Sequence, residues 1–208
     1  VLPTRMLRIK VDKKAVIKSG VVSAADQNQI AEYIDFNLGK DGLVKNDLLV
    51  LDLLANNNWS RPIYFAATMG QDNYYGLNDY LQLEGLALRL IPIKSPRNPY
   101  GTAGKVNSKI MYDNMVNKFK WGNMGGDKVF IDPETARMTY SFRIQFFQLC
   151  DVLLNEGKKD SCAKALDLLM SVLPKQGIPL QYKTFDFRFV DQYFRCGKTE
   201  KAKALAAN

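Results

Sequence analysis

Asn56-Asn57-Asn58-Trp59-Ser60-Arg61-Pro62-Ile63-Tyr64-Phe65-Ala66 marks the place where a helix gives way to a strand, and this junction decides the fold of the first half of the chain. Upstream, Asn46 to Ala55 reads NDLLVLDLLA, apolar on nearly every face, which predicts a short helix sunk in a core. Downstream, Pro62 to Ala67 predicts a buried strand. Between them three amides, an indole and a guanidinium stand together on a polar turn, and binding groups collect on such turns between rigid elements.

Working outward, Leu7, Ile9 and Val11 alternate with Arg8 and Lys10, the period of a half-exposed strand over Arg5 to Val11. Ser23 followed by Asp26 predicts a helix start, with Ile30, Tyr33, Ile34 and Asn37 along one face and Gly39 and Gly42 ending it. Glu84 to Ile91 predicts a further strand, Leu86, Leu88 and Leu90 on one side and Ala87, Arg89 and Ile91 on the other. The economical reading is an α+β fold: a small mixed β-sheet with helices, followed by an α-helical C-terminal region. Ser95 to Gly104 holds Pro96, Pro99, Gly101 and Gly104 and continues neither period, so the boundary falls there, with residues 1–104 as the sheet-containing domain and 105–208 as the helical one.

In the second part Ser108 to Phe119 predicts a helix, Gly122, Gly125 and Gly126 a loop, and Asp132-Pro133 a capped start with proline at the first helical position. Gly157 and Gly197 are each followed five residues later by a small residue, Cys162 and Ala202, and preceded four earlier by Leu153 and Tyr193. Leu166 and Pro174 extend the first unit at tetratricopeptide-like offsets. The glycines stand 40 apart where roughly 34 is usual, so the stretch from Pro174 to Lys183 is expected to be a lengthened connection. Leu169 replaces a small residue of that pattern, and two units make helical hairpins rather than a long solenoid. The register brings Cys150 and Cys162 together as small packing residues and leaves Cys196 unpaired.

Composition removes several classes of chemistry. The 208 residues include no histidine, which excludes His-based triads and most zinc sites. Cys150, Cys162 and Cys196 lack metal-ligand spacing, and no phosphate-binding glycine motif occurs, so neither metal nor cofactor is expected. The net charge of +8 is spread among acids without a nucleic-acid-binding signature, so no nucleic-acid partner is expected. It suits solvated faces or a nearby anionic membrane surface. No stretch approaches the roughly 20 apolar residues of a bilayer span, so any anchor is expected upstream of Val1.

The candidate binding residues are Asn56, Asn57, Asn58, Trp59 and Arg61 at the helix–strand junction, joined by Asp72, Tyr74, Tyr75 and Asp79 from the loop after the strand. Aromatic rings with carboxylates and amides suit a glycan or a polypeptide, and the expectation is that these residues line one concavity. Asp72, Asp79 and Glu84 would serve glycoside hydrolysis only if two carboxyls stood about 5–10 Å apart in one cleft. The competing reading packs Trp59 and the tyrosines against the sheet and spends the asparagines on turns.

Leu53 to Ala66 (LLANNNWSRPIYFA), Asp79 to Leu86 (DYLQLEGL), Leu90 to Ile93 (LIPI), Met111-Tyr112-Asp113, Lys120 to Asn123 (KWGN) and Asp132 to Thr135 (DPET) resemble the C-terminal part of a bacterial family of multi-pass membrane proteins similar to GT-C type protein O-mannosyltransferases. The resemblance implies that catalytic carboxylates lie in an upstream membrane portion, so no catalytic residue is expected here. It implies a non-catalytic accessory domain at the inner membrane, on its periplasmic side. The implied partners are the upstream membrane domain and an acceptor protein or glycan. The alternatives are a stand-alone adaptor of tetratricopeptide type and a carbohydrate-binding or carbohydrate-active domain using the Trp59 edge.

Overall fold

A computed structural model describes residues 4–40, 42–95, 103–126, 129–173 and 183–207, and the chain divides into two compact units, 1–105 and 106–208. The class is α+β, with small sheets in the first unit and helices throughout the second.

In the first unit β1 (Met6–Lys10) pairs antiparallel with β2 (Tyr33–Asn37), Leu7 facing Phe36 and Ile9 facing Ile34. The helix expected from Ser23 to Asn37 is therefore not formed. Ala24–Gln29 makes only a 3₁₀ turn, in which the Ser23 hydroxyl donates to Asp26 (2.6 Å) rather than capping the backbone. Tyr33 to Asn37 then alternates, burying Ile34 and Phe36 and exposing Tyr33, Asp35 and Asn37. Over five residues a period of 2 and a period of 3.6 both fit, and the free edge of β1 decided between them. Between these strands lies α1 (Lys13–Ser19), started by Asp12, whose carboxylate accepts from the Lys14 and Ala15 amides.

The expected helix before the junction is α2 (Lys45–Asn56), but it is not sunk in a core. Leu54 is buried, while Leu48, Leu49 and Leu53 are 53%, 60% and 51% exposed. An all-round apolar helix buries only the face that has a partner, and here that is one side. After the junction β3 (Tyr64–Ala66), β4 (Leu81–Leu83), β5 (Ala87–Leu90) and β6 (Lys105–Val106) form a second sheet in the order β3-β5-β4-β6. The registered pairs, β3 with β5 and β4 with β5, are antiparallel. The strand expected at Glu84 to Ile91 begins only at Ala87, because residues 84–86 form the hairpin turn between β4 and β5, closed by the Glu84 amide on the Ala87 carbonyl (3.1 Å). An Ala31 amide donating to the Pro92 carbonyl (2.9 Å) ties the two sheets' flanking segments together.

The second unit starts with α3 (Ser108–Tyr112), whose N-cap Asn107 accepts from the Ile110 amide, and widens into a π segment at Asp113–Lys118, so the expected helix to Phe119 exists in two geometries. Trp121 donates its indole N–H to the Met115 carbonyl (3.0 Å) and lies against Phe119, Phe142 and Phe146. Asp132 caps α4 (Pro133–Asn155) through the amides of Glu134 and Thr135, with Pro133 at the first turn as expected. α4 and α5 (Lys159–Val172) form one hairpin, α6 (Lys183–Arg195) and α7 (Thr199–Ala207) another. The two turns are built alike: Gly157 (φ 74°) and Gly197 (φ 76°) donate to Leu154 and Phe194, and Lys158 and Lys198 donate to Leu153 and Tyr193. Cys162 and Ala202 are fully buried at equivalent positions. The Cys150 thiol sits 3.8 Å from the Cys162 carbonyl, and all three cysteines are free and buried. The expected Pro174–Lys183 connection and residues 96–102 of the boundary stretch lie outside the described residues.

Candidate functional site

The junction between α2 and β3 is a tight turn whose geometry is costly. The Ser60 amide donates to the Asn57 carbonyl (2.9 Å), and the two central residues, Asn58 (φ 45°) and Trp59 (φ 61°), are both left-handed. Asparagine tolerates that region, but a bulky aromatic rarely enters it, and such a residue carries strain of order 1–3 kcal/mol. Asn56 and Asn57 are spent on the backbone as the competing reading supposed: Asn56 donates to Asp52, and Asn57 to the Arg61 carbonyl (2.8 Å). The Ser60 hydroxyl closes the same turn on the Asn57 carbonyl (2.8 Å).

Trp59, half-buried, stands between two adjoining clefts that share Asn57, Trp59, Ile63 and Leu90 as walls. One is completed by Ser19, Ser60, Arg61 and Arg89 among others, the second by Lys10, Leu54 and Asn58. Both are small and open to solvent, well short of the volume of an enclosing ligand site. Neither lining contains a carboxylate. Arg61 is exposed and makes no side-chain hydrogen bond or ion pair with any described residue. Arg89 reaches Glu84 only at 3.8 Å, lies 5.7 Å from the Tyr64 ring centre, and keeps a buried Nε without a hydrogen-bond partner among the described residues. Glu84 itself accepts from Tyr64 (3.0 Å) and from Gln82 (2.7 Å). Burial, with the Glu84 carboxylate beside it, pushes the Tyr64 hydroxyl above its ordinary pKa.

The expectation of a single concavity does not hold. Asn57, Asn58, Trp59 and Arg61 are brought together, whereas Asp72, Tyr74, Tyr75 and Asp79 line neither cleft. Tyr74 is buried with its hydroxyl on the Ala66 and Met69 carbonyls, its ring edge-on to Phe65. Tyr75, left-handed at φ 54°, donates to the buried carboxylate of Asp47 (2.9 Å). Asp47 also takes Lys40 (2.7 Å) and the Val44 amide (2.9 Å), which together hold its pKa below the ordinary range, Lys40 being the larger cause. Asp72 stays exposed and acts on Lys40 only through its field, and Asp79 is 4.0 Å from Lys94. The loop turns inward because its aromatics find carbonyls and Asp47 there, and sequence spacing carries no record of those partners. Arg89, Lys10 and Ser60 were the site residues missed. The available signal was an arginine in the middle of an otherwise apolar strand.

In the second unit the three thiols are not reactive-site chemistry. Cys162 is pushed well up by its hydrogen bond with Cys150 and by burial, and burial pushes Cys196 up to about 12. No group of three His, Cys, Asp or Glu side chains among the described residues is arranged to hold a metal ion. No helix among them is long and apolar enough to cross a membrane.

A family model described as TMEM260-associated domain 2 matches residues 1–110. The chain belongs to that family. It is a membrane-protein-associated family, and the match spans both sheets and the Trp59 junction. No curated protein and no solved structure matches the chain.

Proposed function

We propose that this chain is the non-catalytic accessory domain of a polytopic membrane glycosyltransferase of protein O-mannosyltransferase type, lying outside the bilayer on the periplasmic side of the inner membrane and contacting the acceptor protein. The observation that carries the reading is membership, over residues 1–110, of a family associated with a membrane protein. The resemblance of residues 53–66 and 79–86 to the multi-pass family points to the same setting. The chemistry of the clefts agrees with a binding rather than a hydrolytic role, since glycoside hydrolysis needs paired carboxylates and neither lining supplies one. The second unit, two helical hairpins side by side, provides the kind of surface that holds polypeptides.

The test has two arms. The isolated chain, incubated with lipid-linked mannose and an acceptor protein, transfers no sugar above an enzyme-free control. A parent protein lacking residues 1–208 loses modification of its acceptor while keeping its membrane fold. Transfer by the isolated chain, or a reading frame with no membrane spans ahead of Val1, overturns the proposal.

A further inference from the structure

The two clefts beside Trp59 have a charge pattern that narrows their ligand. Three basic residues line them, Arg61 and Arg89 the one and Lys10 the other, and neither lining holds an acid. Surface arginines normally settle on carboxylates or carbonyls, yet Arg61 has no side-chain partner among the described residues. Arg89 sits in a wall with a buried Nε unbonded, and its nearest carboxylate is 3.8 Å away and already bound to Tyr64 and Gln82. Glu84 thus leaves Arg89 without a close ion pair, and two arginines lining one cleft offer forked donors that match the oxygens of an oxyanion.

The indole supplies the second half of the specificity. Trp59 is held between the clefts by a left-handed backbone that no packing requirement of a turn explains, since glycine would occupy the position without strain. An indole fixed in this way, half-exposed between two small open clefts, offers an apolar face on which a sugar ring can stack from the surface.

We infer that the Trp59 junction binds an anionic sugar: a sugar ring stacked on Trp59 at the surface, with its phosphate or carboxylate held by Arg61 and Arg89. This deepens the reading of the junction as a binding edge and rests on it, but not on the identity of the parent enzyme. Asn58 and Lys10 line the second cleft, where the remaining hydroxyls would lie.

Calorimetric titration of the whole chain with glucose 6-phosphate, glucuronate and glucose tests the inference. Expected are tenfold or tighter binding of both anionic sugars over glucose, and weakening of that binding with added salt as the charges are screened. Arg61→Ala, exposed and free of structural partners, is expected to lose at least tenfold for the anionic sugars and nothing for glucose. Arg89→Lys, which keeps the charge beside Glu84, is expected to lose several-fold with an unchanged melting temperature, and Trp59→Ala to lose affinity for all three ligands. Glucose binding as tightly as the anions overturns the anion assignment while leaving a glycan edge. Failure of all three to bind overturns the site itself. If glucose 6-phosphate binds but inorganic phosphate binds equally well, the ring is irrelevant and the Trp59 part of the inference falls.

Discussion

The two units differ in where they place left-handed backbone. In the second, among the described residues, every such position is a glycine: Gly122, Gly157 and Gly197. In the first, Asn58, Trp59 and Tyr75 adopt it alongside glycines. The helical unit turns its corners at no steric cost, as repeated hairpins do, because nothing but the turn is required of those residues. The sheet unit puts side chains where glycine would be easier. Two of its three exceptions carry aromatics that do something there: Tyr75 reaches buried Asp47, and Trp59 divides two clefts. The contrast teaches that strain in this chain is local to its polar constellations.

The sharpest way to break that contrast is at Gly76 (φ 77°). A Cβ there would meet the Asn37 carbonyl oxygen at 2.0 Å, a backbone atom that cannot swing away. Gly76→Ala is therefore expected to cost roughly 3 kcal/mol or more, read by chemical denaturation. Gly157→Ala and Gly197→Ala meet nothing within 4 Å, so only the dihedral is penalised, and each is expected to cost about 1 kcal/mol. Equal losses at Gly76 and Gly157 would erase the distinction between close approach and simple turning.

Asp47 gives a pH-dependent effect. Its folded pKa lies below the ordinary 3.8 because Lys40 and the Val44 amide favour the carboxylate, so its stabilisation is complete above the unfolded value and is lost as pH falls through the folded one. Lys40, raised by the same pair, keeps its share up to its ordinary 10.5 and loses it above. Asp47→Asn is expected to be less stable than the wild type near neutrality, with the gap closing in acid. Melting curves from pH 7 to pH 2 check this, and a gap constant over that range would remove the ion pair from the account.

Smaller still is the change expected at the Trp59 turn. Trp59→Gly relieves the dihedral strain while losing half-buried ring surface, and the two are expected to cancel to within about 1 kcal/mol. A loss of 3 kcal/mol would make Trp59 a core residue and return the junction to packing. The least effect belongs to the outer face of α2, where Leu49→Gln is expected to change stability by less than about 0.5 kcal/mol, against 2–5 kcal/mol for Leu54→Ala on the buried face.

Legibility in the sequence followed the range of the interaction responsible. Asp132-Pro133 was readable because a cap and its amides lie within three residues, and Gly157 and Gly197 because a helix end needs one glycine and little else. The alternation of Arg5 to Val11 was readable, whereas Tyr33 to Asn37 was not, since five residues satisfy two periods and only pairing with β1 separates them. Of the site, Asn57, Asn58, Trp59 and Arg61 are consecutive or nearly so, and their grouping came from the chain itself. Arg89 and Lys10 join them only through the folded sheet and its neighbours, and Tyr74 and Tyr75 leave them because buried acceptors claim their hydroxyls.

The sequence by itself thus determined the α+β class, the helical hairpins of the second half and the polar turn after α2, each signalled by a hydrophobic period, a cap or a turn residue within a few positions. Only the tertiary structure decided which face of α2 is covered, that Trp59 is left-handed, and that the clefts beside it are lined by basic residues without acids. Those outcomes depend on which distant surfaces meet, and a residue's burial and charge environment are fixed by its neighbours in space rather than by its neighbours along the chain.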